Sequence, residues 1–199
     1  MSDICGKKYE EYIKMVTDFH GTAAPGLLIG GYMVDLAYKQ LPKDGFYDVV
    51  CESVKCLPDA VQILTPCSIG NGWLKIEKIG RFAMTFFNKY NGDGIRLYLD
   101  TDKLKEYPEI HEWFFRTKPK HDQDSDALMR SIREAGSRIV SVQKVKVNIR
   151  QEKKKNTTNA ICSVCGESYP FKEGSDKCKV CSGEIRYYIT EDQKDEHEA

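Results

Sequence analysis

The eight cysteines of this 199-residue chain are the side chains best suited to chemistry, and they fall into two groups. Cys162, Cys165, Cys178 and Cys181 form two Cys-x-x-Cys pairs separated by twelve residues, whereas Cys5, Cys51, Cys56 and Cys67 are scattered through the first third. A two-residue gap lets both sulfurs of a pair reach one tetrahedral centre, and Gly166 and Gly183 relax the backbone just past each pair. Zinc suits four thiolates best, and four protein ligands leave no open coordination position, so the expected role is structural. A redox dithiol pair and an iron centre are the alternatives for this spacing. So small a module lacks a core, and metal binding, worth about 10–16 kcal/mol, would supply its folding energy.

A second constellation lies in the first seventy residues: His20, Cys56, Asp59 and Cys67. His20 sits where a helix is expected to end, a position that suits its protonated form. Cys56 opens a short helix, where backbone amides are expected to lower a thiol pKa. Asp59 falls in that helix's first turn, either as a helix-start acid or as a carboxylate aimed into a pocket. Cys67 lies in the loop Thr65-Pro66-Cys67-Ser68-Ile69-Gly70-Asn71-Gly72, where no packing reason demands a cysteine. Cys51, in a valine-rich strand, reads as a small hydrophobe. No serine triad, nucleotide loop or paired-carboxylate arrangement stands out. The spacing Gly26-x-x-x-Gly30 lacks the lysine of a phosphate loop and reads as a packing stripe.

The elements that must position these groups follow from periodicity. Tyr9, Tyr12, Ile13, Val16 and Phe19 mark a helix ending at His20-Gly21, and a second begins at Pro25. A buried strand over 46–52 and a helix over 58–64 come next. Strand-like runs at 73–77, 81–87 and 94–99 are joined by glycine-rich turns, which predicts an antiparallel meander. A helix over 102–116 should be interrupted at Pro108, and another spans 124–135. Val140 and Val142, then Val145, Val147 and Ile149, alternate with a one-residue slip, which predicts a β-bulge. Residues 185–189 alternate as a ribbon strand should.

Thirty basic and thirty acidic side chains cancel, which argues against a surface built wholly for nucleic acid or an anionic membrane. No apolar run approaches the roughly 18 residues of a membrane span. The opening residues lack the apolar centre of a signal peptide, so a cytoplasmic location with reduced thiols is expected. Between 139 and 161, six cations face one acid, a local +5, and from Glu191 onward five acids face one lysine, a local −4. A solvated linker and acidic tail account for both. A basic strip for nucleic acid or an acidic partner, with Tyr187 and Tyr188 as stacking groups, is the alternative.

Three segments together resemble the formylmethanofuran dehydrogenase E-subunit family: Asp18-Phe19-His20-Gly21-Thr22-Ala23-Ala24-Pro25-Gly26-Leu27, Cys56-Leu57-Pro58-Asp59-Ala60-Val61-Gln62, and the Cys67 loop. Arg81-Phe82-Ala83-Met84-Thr85-Phe86-Phe87 and Ile95-Arg96-Leu97 extend the resemblance over roughly residues 5–120. It implies an α+β domain with helices packed on a mixed, largely antiparallel sheet, usually a homodimer, followed by a small zinc ribbon that some members append. It further implies a pocket lined by the motif's histidine, cysteine and aspartate. Members are named for association with the molybdenum or tungsten enzyme that reduces carbon dioxide onto methanofuran.

Carried over by position, His20 stands on the motif's first histidine, Cys56 and Asp59 on its central pair, and Cys67 on its later cysteine. Thr22 and Ala24 replace the second histidine and the first cysteine of the pattern, and Asn71 replaces a frequent lysine. His20, Cys56 and Cys67 are then either a three-ligand metal site with an open position or a pocket for a small ligand without metal. The loss of two polar groups favours the second. The expected organisation is a pocket domain (1–150), a basic linker (151–160) and a four-cysteine zinc ribbon with an acidic tail (161–199). The expected function is an accessory or ligand-binding subunit of one-carbon or metal-cofactor metabolism. A ribbon-tethered adaptor for nucleic acid or protein, and a thiol-redox enzyme using Cys56 and Cys67, are the competing readings.

Overall fold

Helix α1 (Tyr9–His20) buries Tyr12 and Val16 and ends at Gly21, whose φ of 88° lets its amide bond the Thr17 carbonyl at 2.9 Å. Helix α2 (Pro25–Gln40) starts on proline and is buried along almost its whole length, with Leu27, Leu28, Ile29, Met33 and Val34 fully enclosed. Such all-round apolarity marks a central helix rather than a surface one. The Tyr12 hydroxyl donates to the Leu27 carbonyl at 2.8 Å, so the one polar atom this ring buries is satisfied. In a computed structural model, residues 3–148, 158–171, 173–185 and 188 are described, and the chain divides into two compact units, 1–149 and 150–199.

In the first unit, α2 packs on α3 (Leu57–Leu64), on α5 (Ser125–Ala135) and on the sheet. Strands β1 (Tyr47–Cys51), β2 (Leu74–Ile76), β3 (Ala83–Asn88), β4 (Asp93–Leu99) and β5 (Val140–Lys146) form one mixed sheet in the order β2-β1-β3-β4-β5. β3 is central and buried on both faces, while β4 alternates buried and half-buried positions. This is the expected α+β class: five helices on a mixed, largely antiparallel sheet, followed by a four-cysteine zinc module.

Two local expectations are corrected. The runs at 73–77, 81–87 and 94–99 do not form a three-stranded meander. β3 and β4 pair antiparallel, but β2 lies on the far side of β1 and runs parallel to it, Val49 opposite Leu74. The connection from β1 to β2 passes through α3 and is long enough for a parallel crossover, which a hairpin turn is not. Nor is there a bulge in β5: its register against β4 is unbroken from Asp93↔Lys146 to Leu99↔Val140. The change of apolar face falls where β5 leaves the core. There Gln143, Lys144 and Lys146 are exposed, and half-buried Val145 lies opposite Gly94.

The helix expected over 102–116 is divided as its proline requires, into a 3-10 turn (Lys103–Glu106) and α4 (Pro108–Phe115). No helix among the described residues is long and apolar enough to cross a membrane. The basic stretch 149–157 and the acidic tail from 191 lie outside the described residues, as do Arg186, Tyr187 and Ile189 of the expected ribbon strand.

Candidate functional site

In the second unit, β6 (Asn159–Ile161) and β7 (Ser168–Pro170) pair antiparallel, and the first cysteine pair occupies their connection. The Cys162 amide bonds the Glu167 carbonyl at 2.9 Å, and the Gly166 amide closes the turn onto the Cys162 carbonyl at 3.0 Å. The second pair repeats this, with the Ser182 amide on the Cys178 carbonyl at 2.9 Å. Gly166 and Gly183 have φ of 74° and 77°, the left-handed region that both tight turns need.

All four sulfurs lie within 4.8 Å of one another, and Cys165 Sγ and Cys178 Sγ are 4.0 Å apart. A zinc–sulfur tetrahedron with bonds of about 2.3 Å has edges of about 3.8 Å, so the donor set fits zinc. Backbone amides of Cys178 and Cys181 donate to Cys162 Sγ and Cys178 Sγ at 3.3 and 3.4 Å, which favours thiolates. The backbone amides of Cys165 and then Cys178 pull Cys162 down to about 6, while hydrogen bonding to Cys178 pushes Cys181 up to about 12. Four sulfurs this close cannot all ionise against one another, and a divalent cation removes that conflict. These cysteines are a structural zinc site.

The amino-terminal candidates are brought together only in part. His20 at the end of α1 and Asp59 in the first turn of α3 meet at 2.7 Å, Nδ1 to Oδ2, each about one-third exposed. Asp59 is thus both a helix-start acid and a partner for His20. Cys56 caps α3 with a positive φ of 62° and ψ of −57°, and its thiol presses on the start of α2. A Cβ added at Gly26 would stand 2.8 Å from Cys56 Sγ, which is why this position on the stripe carries glycine. The other stripe residue, Gly30, admits Ala60 of α3.

Cys67 has a packing role after all. It is only 3% exposed, is part of the core, and donates its thiol to the Tyr47 carbonyl at 3.3 Å. Burial raises its pKa. Burial also raises the Cys56 thiol, reinforced by the Asp59 carboxylate, so the lowering expected from the helix terminus does not win. Cys51, within the core, and Cys5, packed at its edge, are each pushed up to about 12, chiefly by burial. Among the described residues, no histidine, cysteine or acid set beyond the four carboxy-terminal cysteines puts three donors around one point.

Cys56 instead borders an open cleft of about 550 Å³. One wall, 53–56, follows β1; another, Lys78, Gly80 and Phe82, follows β2; Trp113, Phe114 and Arg116 close it from the end of α4. The cleft therefore lies beyond the carboxyl ends of the two parallel strands, a common place for ligands in sheets with crossover helices. Phe82 and Phe114 meet edge to face, with centroids 6.0 Å apart. Lys55, Lys78 and Arg116 supply three cations, no acid lines the cleft, and none of the three has an ion-pair partner among the described residues.

The loops are held from beneath. Glu77 and Gly80 amides bond the Cys51 and Glu52 carbonyls at 2.9 and 2.8 Å. The buried Glu52 carboxylate takes Arg96 at 2.6 and 2.9 Å and Arg81 at 2.6 Å. Sequence reasoning missed Lys55, Lys78, Trp113, Phe114 and Arg116 as site residues. The parallel pairing of β1 and β2 makes the loops of Lys55 and Lys78 neighbours, and the end of α4 adds the other three; neither juxtaposition leaves a signal in the sequence.

Residues 19–148 match the family model described as FmdE, molybdenum formylmethanofuran dehydrogenase operon, and residues 153–188 match the FmdE treble clef zinc finger. A solved structure of a tungsten formylmethanofuran dehydrogenase FmdE-like protein from Syntrophus aciditrophicus is similar with a TM-score of 0.86 and 43% identity, covering 94% of this chain and 100% of that one. A probable S-adenosyl-L-methionine-binding protein from Archaeoglobus fulgidus is 26% identical over 188 residues, 83% of this chain and 51% of its own length. The chain thus spans about half the length of that curated relative.

Proposed function

The chain belongs to the FmdE family, and from that premise we propose that it is an accessory, ligand-binding subunit serving one-carbon or metal-cofactor metabolism. In this reading residues 1–150 are the ligand domain, 151–160 a linker, and 161–199 a zinc module with an acidic tail. The protein acts in the cytoplasm as a homodimer beside a molybdenum- or tungsten-dependent oxidoreductase.

The observation that carries the reading is the cleft of about 550 Å³ at the ends of β1 and β2. Its volume falls within the roughly 300–1,000 Å³ of small-molecule sites, and its lining joins aromatic walls to a few charged groups. His20, Cys56 and Cys67 would then serve the architecture around a ligand, with no metal among them. The zinc module has no open coordination position and supplies folding energy rather than chemistry.

The name of the archaeal relative raises S-adenosylmethionine as one ligand. That molecule carries a net positive charge, which three cations and no acid at the cleft oppose. Native mass spectrometry of the protein isolated from its own cells tests the reading. A small molecule is expected to stay bound in addition to zinc and to be lost when Phe82 is replaced by aspartate. A protein that carries zinc alone contradicts it.

A further inference from the structure

We propose that the cleft binds a flat aromatic compound bearing an anionic group, its ring against Phe82, Trp113 and Phe114 and its anion beside Lys55, Lys78 and Arg116. This rests on the ligand-binding reading above and names the chemical class of the ligand.

The charge pattern carries the anionic half. Three cations rim one concavity, no carboxylate lies among its lining residues, and none of the three is neutralised by an ion pair among the described residues. Cations gathered at a cleft with low-dielectric walls focus a positive field into it. The half-buried Cys56 thiol is raised by burial and then by the nearby Asp59 carboxylate, so it adds no opposing charge, and Asp59 is itself paired with His20 at 2.7 Å.

The aromatic half follows from the walls. Phe114 is edge-on to Phe82 at 6.0 Å and tilted to Trp113 at 6.2 Å, and all three rings are only half-buried. An incoming ring can continue this stack, and a flat one does so with little entropy to lose. The cleft is also set before the ligand arrives. The loop of Lys78 and Gly80 is tied to the Glu52 carbonyl, and the Leu99 amide holds the Phe82 carbonyl at 3.1 Å. Its size suits one small molecule, and the three cations suit one anionic group rather than a polymer backbone.

The test uses the full-length zinc-loaded protein at low ionic strength. Calorimetric titrations compare adenosine monophosphate and nicotinate with adenosine, ribose phosphate and thiamine, while N-ethylmaleimide alkylation of Cys56 reports occupancy. The proposal expects adenosine monophosphate or nicotinate to bind at least roughly tenfold more tightly than the other three and to slow alkylation. Which of the two binds separates phosphate from carboxylate. Lys78→Glu and Arg116→Glu, both at exposed positions, should each lose roughly tenfold in affinity with an unchanged circular dichroism spectrum. The proposal is overturned if charge reversal leaves affinity unchanged, if ribose phosphate or adenosine binds equally well, or if neither anion binds. Protection of Cys56 by thiamine or adenosine alone removes the anionic class and keeps the ligand-binding reading. No protection by any compound, with no small molecule on the isolated protein, removes both.

Discussion

In the carboxy-terminal unit four cysteines converge until their sulfurs lie within 4.8 Å of one another, whereas in the amino-terminal unit the other four enter no such cluster. Cys51 and Cys67 are swallowed by the hydrophobic core, Cys5 packs at its edge, and Cys56 borders a cleft. The cause is what each unit has for a core. The first unit encloses α2 and both faces of β3, so apolar burial stabilises it and a thiol is one more small apolar group. The second unit, among its described residues, offers two three-residue strands and two tight turns, and Cys162 is its only buried apolar residue. There the sulfurs and their metal are the core.

Zinc removal is the strongest way to break this comparison. Chelation should unfold the carboxy-terminal unit, which forfeits about 10–16 kcal/mol of metal binding, and leave the first unit folded. Hydrogen exchange followed by mass spectrometry should show protection lost over 158–185 and kept in α2 and β3. Loss of protection in both at once would mean that the first unit too depends on metal.

A middle-sized effect concerns how the first unit holds its cleft. Arg96, with Arg81 beside it, holds the Glu52 carboxyl below the usual carboxylate range. A carboxyl whose folded pKa is depressed stabilises the fold above its unfolded pKa and loses that contribution as pH falls through the folded value. Glu52→Gln should therefore cost about 2–3 kcal/mol at neutral pH. The gap from wild type should narrow as the pH drops below about 4. Urea midpoints at the two pH values check this, and a gap independent of pH would reassign the effect to packing.

The smallest effect sharpens the contrast between thiols. Cys67→Ser places a hydroxyl where a core thiol sat and should cost about 1–2 kcal/mol. Its zinc content should equal that of wild type. A loss of zinc on changing Cys67 would place this residue among the metal ligands.

What the chain reveals before folding depends on how far apart the cooperating residues lie. The zinc module is legible because each Cys-x-x-Cys turn fixes its own geometry within four residues. Helices α1 to α3 are legible because Gly21, Pro25 and Pro58 punctuate an apolar period. The partner of β2 is not, since three residues of strand carry no signal for which neighbour they join, and only the crossover through α3 decides it. Everything that rests on that pairing is hidden with it, including the placing of Lys55 and Lys78 on one cleft. Cys67 misled for a related reason: a Pro/Ser/Gly loop looks like surface, yet its thiol is drawn inward to the Tyr47 carbonyl. The pairing of His20 with Asp59 spans 39 residues and appears only once α1 and α3 pack together.

One measurement bears most directly on the division of labour between the two units. Metal analysis of the full-length protein should give one zinc per chain in the wild type and none in the double variant Cys162→Ser, Cys178→Ser, whose first unit stays folded. Zinc retained by that variant at one per chain would mean that these four cysteines are not what holds it and would contradict the account.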